Sequence, residues 1–244
     1  MKKIKKSLDM YSTKNKKVHY FYNGIFYTRK LNDFVDDILF EKIYGGTGLL
    51  KKIKKLAKNK NINFSSSMVK ENLTKSWLNS GWETNHTLNI CILNLKNTTR
   101  KIQMLDEKIE VKKFHQNDIE NLLKLDHKIF EPYWRNSFTS FIETMKSCNN
   151  NYLFTIGSVE SLNGYAILGE TGKFTYLQRI GVKKDSQGVG LGDMLLKNII
   201  NFSIDKKFIN IKLNTQEDNE AALSLYKKNN FDLSPRKLVI MKTS

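Results

Sequence analysis

The chain predicts an α/β fold, and three observations carry that expectation. A strand-like run, a glycine-rich turn and an amphipathic helix follow one another without interruption between Tyr176 and residue 204. Strand and helix patterns are interspersed through roughly residues 105–244. The first hundred residues repeat part of that order, less distinctly: glycine turn, helix, strand, helix, closing strand.

Taken from the N-terminus, VHYFYNGIFYTRKL (18–31) reads as a hairpin turning at Asn23-Gly24, a pair that takes positive φ at low cost. GGTGLL (45–50) opens an amphipathic helix. Leu49, Leu50, Ile53 and Leu56 form its core side, and Lys51, Lys52, Lys54, Lys55, Lys58 and Lys60 its solvent side. NINFSSSMV (61–69), a short helical stretch and SGWETNHTLNICIL (80–93) complete the first block. In the second, IEVKKF (109–114) is a strand, and Asp118–Phe130 has helical periodicity through Ile119, Leu122, Leu123 and Ile129, stopped near Pro132. A short helix over Ser137–Met145 precedes a hairpin of NYLFTIGSV (151–159) and GYAILGE (164–170). The Tyr176–Val182 strand, a helix over 190–204, the strand FINIKL (208–213), a helix over 219–228 and a strand near Lys237–Met241 follow.

The turn is the chemically informative element. Gly188, Gly190 and Gly192 stand between an apolar strand and the first turn of a helix. Amides pointing outward, the positive end of the helix dipole and missing side chains together suit an anion such as a phosphate. The dinucleotide fingerprint G-x-G-x-x-G fails at Asp193, and G-x-x-x-x-G-K-[ST] fails where Asp193 and Met194 follow Gly192. What remains is Gln187-x-x-Gly190-x-Gly192.

With that pattern the chain resembles the GNAT acetyltransferase superfamily, in which Q/R-x-x-G-x-G/A cradles the pyrophosphate of acetyl-CoA. A second block, NEAALSLYKKNNF (219–231), is similar to the family's N-x-x-A-x-x-L-Y-x-x-x-G-F segment through Asn219, Ala222, Leu225, Tyr226 and Phe231. The wording resembles RimI-like protein N-terminal acetyltransferases, and LQRIGV and NTQEDN are similar to actinobacterial GNAT proteins of unassigned substrate. The resemblance implies a mixed, strongly twisted sheet with helices on both faces, a catalytic domain over 105–244, and acetyl-CoA as donor to a primary amine. The acceptor is then a protein N-terminus, a lysine or a small amine.

The same resemblance assigns roles. Backbone groups of Ile180, Gly181 and Val182 pair with the pantetheine arm, with the Val182 amide offered to the acetyl carbonyl. Gln187, Gly188, Val189, Gly190, Leu191, Gly192 and Asp193 hold the pyrophosphate, and Asn219 binds the pantetheine side. Asp193 departs from the basic or hydroxyl residue often found there and brings a carboxylate near phosphates, which weakens CoA affinity. Tyr226, on the N-terminal half of its helix, is the general acid for the thiolate. The family's basic glutamate is missing, since its position holds Asn214; Glu170, Glu217 and water relayed by backbone carbonyls remain as routes for the amine proton. Glu131 and Trp134 fall in the acceptor-binding loop. A non-catalytic CoA-binding sensor or scaffold with a basic docking half is the alternative.

Residues 1–104 are expected to be a degenerate GNAT-like half or an unrelated basic accessory domain. Ile43 stands where the glutamine would, and the N-x-x-A-x-x-L-Y block is absent. The net charge of +17 is concentrated there: residues 1–100 carry 20 Lys+Arg against 7 Asp+Glu, a net +13. Such a surface admits nucleic-acid or ribosome contact, but no recognition motif accompanies it. No run of 18 apolar residues predicts a membrane span, and the charged N-terminus lacks the apolar stretch of a secretory signal. Cys91 and Cys148 read as reduced thiols of a cytoplasmic protein, and the four scattered histidines suggest no metal site.

Overall fold

A computed structural model describes residues 16–21, 24–96, 98–100, 108–158 and 161–243, in two compact units. The first unit comprises residues 1–88 and 236–244, the second 89–235. The expected boundary at 104/105 and the turn residue Asn23 lie outside the described residues.

In the first unit, β1 (Lys17–Phe21) and β2 (Gly24–Lys30) are antiparallel, and β3 (Ile38–Tyr44) pairs antiparallel with β2. Helix α1 (Thr47–Lys60) returns the chain to β4 (Phe64–Ser66), which runs parallel to β3. α1 buries Leu49, Leu50, Ile53 and Ala57 and leaves its lysine side outward, as its period requires. The two-residue β5 (Val69–Lys70) and the one-turn helix α2 (Lys75–Leu78) lead into β6 (Glu83–Asn94), where the chain passes to the second unit. The core is aromatic: Phe26, Phe40, Phe64, Trp77 and Trp82 pack with Ile38, Leu50 and Ile53.

The second unit takes Asn89–Asn94 of β6, then β7 (Ile109–Lys113), α3 (Ile119–Ile129), α4 (Phe138–Lys146), β8 (Asn150–Ser158) and β9 (Ser161–Thr171). β10 (Phe174–Val182), α5 (Leu191–Asp205), β11 (Asn210–Gln216) and α6 (Glu220–Lys228) follow. β12 (Asp232–Lys242) then crosses back, pairing through Leu238 and Val239 with β5 and through Lys242 with β4. Strand order in this unit is β11-β10-β9-β8-β7, with β6 beside β11. β10 and β11 are parallel neighbours there, the geometry that the crossover helix α5 imposes. α5 buries Leu195, Leu196, Ile199 and Ile200 in one core, while Phe114, Ile119, Leu122, Phe141 and Tyr165 form another that α3 and α4 share with the sheet. The expected mixed sheet with helices on both faces is present.

Candidate active site

Three features of the second unit bear on the site, and two of them meet at one end of β10. The first is an opening in the sheet. β10 pairs with β11 at Phe174, Thr175 and Tyr176 only, opposite Asn210, Ile211 and Lys212. Pairing with β9 continues to Val182, interrupted by a bulge between Leu177 and Arg179. From Leu177 on, β10 therefore has a partner on one side alone, and alternate backbone amides and carbonyls face an open slot. An extended chain with its own amides can bind there as a strand does. Ile180, Gly181 and Val182 lie on this stretch, opposite Ala166, Tyr165 and Gly164 of β9.

The second feature is the glycine turn. Gly188 and Gly190 both adopt positive φ (83° and 93°), and Gly190 is the N-cap of α5 without a side-chain cap. The first helical bond is Met194 N to Gly190 O, so the amides of Leu191, Gly192 and Asp193 have no partner within the helix and end at the turn. A Cβ at Gly188 would meet nothing, and one at Gly192 would make only ordinary contacts with Leu225 and Val182. The turn is a concave, unobstructed amide cradle for an anion. Val189 is exposed beside it. Gln187 contributes differently: its amide donates to the Val182 carbonyl at 2.9 Å and braces the turn against the strand end.

Asp193 does not bring its charge to that cradle. Its carboxylate accepts from Asn229 Nδ2 at 2.7 Å, Lys197 Nζ at 3.0 Å and Lys228 Nζ at 3.2 Å. Burial pushes its pKa up, but the bonds from Asn229, Lys197 and Lys228 more than offset this and hold it below the ordinary carboxylate value. The expected conflict between this carboxylate and phosphates is relieved by two lysines and an amide, and the group ties α5 to the end of α6.

The third feature is Tyr226, which sits in the last turn of α6 rather than its N-terminal half, buried, with its ring 5.7 Å from that of Phe231. Among the described residues its hydroxyl makes no hydrogen bond, so the proton is free to be donated. Burial, reinforced by Cys91 and Tyr176, holds its pKa far above the usual phenol value. Tyr176 is likewise pushed up to about 12 by burial and Cys91, and burial pushes the Cys91 thiol up to about 11. All three are neutral acids at physiological pH. Asn219 caps α6, accepting from the Ala222 amide at 3.1 Å.

The remaining expected residues divide. Glu131 is exposed and pairs with Lys184, two residues beyond Val182, at 3.1 Å, which places the 131–135 segment at the open end of β10. The Trp134 carbonyl accepts from Arg179 Nη2 at 2.7 Å. Glu170 is not at the opening. It stands opposite Thr175, where β10 and β11 are still joined, and its carboxylate accepts from Tyr152 Oη at 2.7 Å and Asn150 Nδ2 at 3.4 Å. Those bonds engage it at the paired end of the slot. Glu217 directly follows the last residue of β11. Among the described residues no group of three or more His, Cys, Asp or Glu could hold a metal ion.

Sequence reasoning missed Asp126, Tyr165 and Arg179. Asp126 is wholly buried and receives Tyr165 Oη at 2.6 Å and both Arg179 Nε (2.9 Å) and Nη2 (2.6 Å). The signal was present: a carboxylate four residues from Leu122 on the apolar stripe of α3, and an arginine inside the strand LQRIGV.

Residues 118–231 match the acetyltransferase (GNAT) family. Over those residues the chain is similar to a GNAT acetyltransferase domain. Members of that family are acyltransferases, which transfer acetyl groups from acetyl-CoA to amines. Among solved structures, a tandem GNAT protein from the clavulanic acid biosynthesis pathway is similar at TM-score 0.65 and 12% identity, covering 90% of this chain and 78% of its own. A GCN5-related N-acetyltransferase from Sphaerobacter thermophilus is similar at TM-score 0.61 and 11% identity, covering 90% and 76%. One from Kribbella flavida has TM-score 0.61 and 9% identity, covering 94% and 90%. No curated protein matches the sequence. The likeness to a tandem protein is one of fold. No helix among the described residues is long and apolar enough to cross a membrane.

Proposed function

We propose that the GNAT domain transfers acetyl from acetyl-CoA directly to a primary amine, with the pantetheine arm lying in the slot beside Ile180–Val182. The observation that carries this reading is the conjunction of the slot, the Gly188–Gly190 cradle at its end and a neutral, unengaged Tyr226 phenol in one unit. The cradle binds pyrophosphate through the amides of residues 188–193. Backbone amides of Ile180–Val182 hold the arm and polarise the acetyl carbonyl, stabilising the tetrahedral oxyanion. The neutral amine attacks that carbonyl, and Tyr226 gives its proton to the departing thiolate. The amine's own proton passes to water relayed along the slot's carbonyls, because Glu170 is engaged by Tyr152 at the paired end. The acceptor is a protein N-terminus, a lysine or a small amine, and the setting is the cytoplasm. Residues 1–104 are read as a degenerate half of the tandem arrangement.

Calorimetric titration with acetyl-CoA, free CoA and NAD tests this. Binding of both CoA species at micromolar affinity, none of NAD, and thiol release with an amine panel are the expected results. Acetyl-CoA binding without turnover of any amine would favour a CoA-binding scaffold instead, and absence of binding would sink both readings.

A further inference from the structure

Segment 130–136 of the second unit is tied down through one buried carboxylate. Besides Tyr165 and Arg179, Asp126 accepts the Asn136 amide at 2.8 Å and Asn136 Nδ2 at 3.2 Å, so it fixes the far end of the segment. Arg179 fixes the middle by donating to the Trp134 carbonyl, and its guanidinium lies 3.4 Å from the ring centroid of Phe130 at the near end. Arg135 closes the loop on itself, its Nε donating to the Phe130 carbonyl at 3.0 Å. The segment is thereby pressed onto β10. A Cβ at Gly181 would lie 3.0 Å from Ile129 Cγ2 and 3.0 Å from Phe130 Cζ, so the loop rests on bare backbone in the stretch that faces the slot.

A buried charge pair is a costly way to gain stability alone, since apolar side chains of similar volume often serve as well. What this pair adds is geometry. A planar fork donates at fixed angles to a carboxylate on α3 and to a carbonyl of the loop, a task that a lysine's single ammonium does not reproduce. Arg179 also sits immediately after the bulge of β10, one residue from Ile180, so the strand that faces the acetyl group and the loop beside it share one anchor.

We propose that Arg179, held by Asp126, is a positioning residue for the amine acceptor, setting segment 130–136 as the fixed wall of the acceptor side of the slot. The inference rests on the acetyl-transfer reading of that slot. Arg179 touches neither donor nor acceptor in this role. It places Phe130, Glu131 and Trp134 where an incoming amine meets them, and the entropic cost of ordering that wall is met before the acceptor arrives.

The test uses the full chain with Arg179→Lys, Arg179→Gln, Asp126→Asn and the double variant Asp126→Asn with Arg179→Gln, which leaves no unpaired buried charge. Acetyl-CoA affinity is measured by calorimetry, and acetylation by thiol release with a free-N-terminal tripeptide, an Nα-blocked lysine and spermidine. Trypsin cleavage after Arg135 in the native protein reports whether the segment is held. Each single variant is expected to raise the acceptor KM by about tenfold or more while kcat and the acetyl-CoA Kd stay within about threefold. Cleavage after Arg135 rises in parallel, and the double variant is less impaired than the sum of the singles, the mark of a direct coupling. An unchanged acceptor KM in variants that still bind acetyl-CoA overturns the proposal and leaves the acetyl-transfer reading intact; so does a kcat loss with KM unchanged. If the wild-type protein binds no acetyl-CoA, or binds it and acetylates no probe, the acetyl-transfer reading fails and takes the proposal with it.

Discussion

The two units build the same passage from different residues. In each, a strand pairs in parallel with the strand after its crossover helix over three positions and then parts from it: Ile38–Phe40 with Phe64–Ser66, and Phe174–Tyr176 with Asn210–Lys212. In each, glycines lie between the first strand and the helix. In each, a short helix then delivers an aromatic residue whose carbonyl accepts the amide of another aromatic five residues on, Trp77 to Trp82 at 3.2 Å and Tyr226 to Phe231 at 3.0 Å. The residue before the second aromatic has positive φ in both, Gly81 and Asn230. The frame is common, and the chemistry is not. Trp77, which corresponds to Tyr226, offers no phenol proton and packs edge-on against Trp82. The helix N-cap Gly46 is extended at φ −97°, whereas Gly190 is left-handed, so among the described residues two positive-φ glycines flank the helix start only in the second unit. One unit keeps the fold and fills it with aromatic core; the other spends the same positions on an open slot.

The comparison breaks first at the chain divisions. A fragment of residues 105–244 is expected not to fold, because it lacks Cys91, Leu93 and Leu95, which belong to the main core of the second unit. It also strands Val239 and Met241, which belong to the core of the first. Circular dichroism and a melting curve check this, and a cooperative transition in the fragment would refute it. Next in size, Tyr226→Phe should lower kcat by about 100-fold with acetyl-CoA binding unchanged. Because burial raises the Tyr226 pKa, kcat should not decline as pH passes the ordinary phenol value near about 10.

The glycine turns sharpen the contrast. Gly190→Val should weaken acetyl-CoA binding by about tenfold or more, since a branched side chain at positive φ is strained and fills the cradle. Gly46→Ala should leave acetyl-CoA binding unchanged and lower the melting temperature only slightly, because its φ is ordinary and a Cβ there meets nothing, while alanine is the poorer N-cap. Smaller still, Asp193→Asn is expected to cost about 1–3 kcal/mol of stability, read from denaturant unfolding, while acetyl-CoA affinity is preserved. Its folded pKa is depressed, so the stability it contributes is present above the unfolded carboxylate value of 3.8 and lost as pH falls through the folded one. The smallest effect belongs to His19, stacked on Phe26 and bonded to Thr28 at 2.6 Å. Burial, then Lys17, lowers its pKa, so the stability is full above the ordinary value of 6.5 and is lost as pH falls below it. A modest fall in melting temperature between neutral and mildly acid pH, absent in His19→Asn, is the expected result.

What was legible in the sequence was local. The 176–204 passage could be read because a glycine turn and a 3.6-residue period are written in consecutive residues, and Tyr226 because its block is contiguous. Features that depend on contacts between distant residues were not legible there. Asp193 looks like a charge beside phosphate until Lys228 and Asn229, 35 and 36 positions away, are seen to claim it. Glu170 suits a base by residue type, but register places it opposite Thr175 rather than Ile180. Asp126 and Arg179, 53 positions apart, went unnoticed because only the fold brings them together. The path of β12 back to β4 and β5 is likewise absent from any local pattern.

That returning strand has a consequence for biosynthesis. The lysine-rich unit is the first of the two to emerge during translation, yet its sheet lacks Leu238, Val239 and Lys242 until those residues have been made. The second unit, residues 89–235, is complete slightly earlier. The half made first is therefore the half finished last, and until then Phe64, Trp77 and the rest of its aromatic core wait on a strand that follows the whole second unit in the chain.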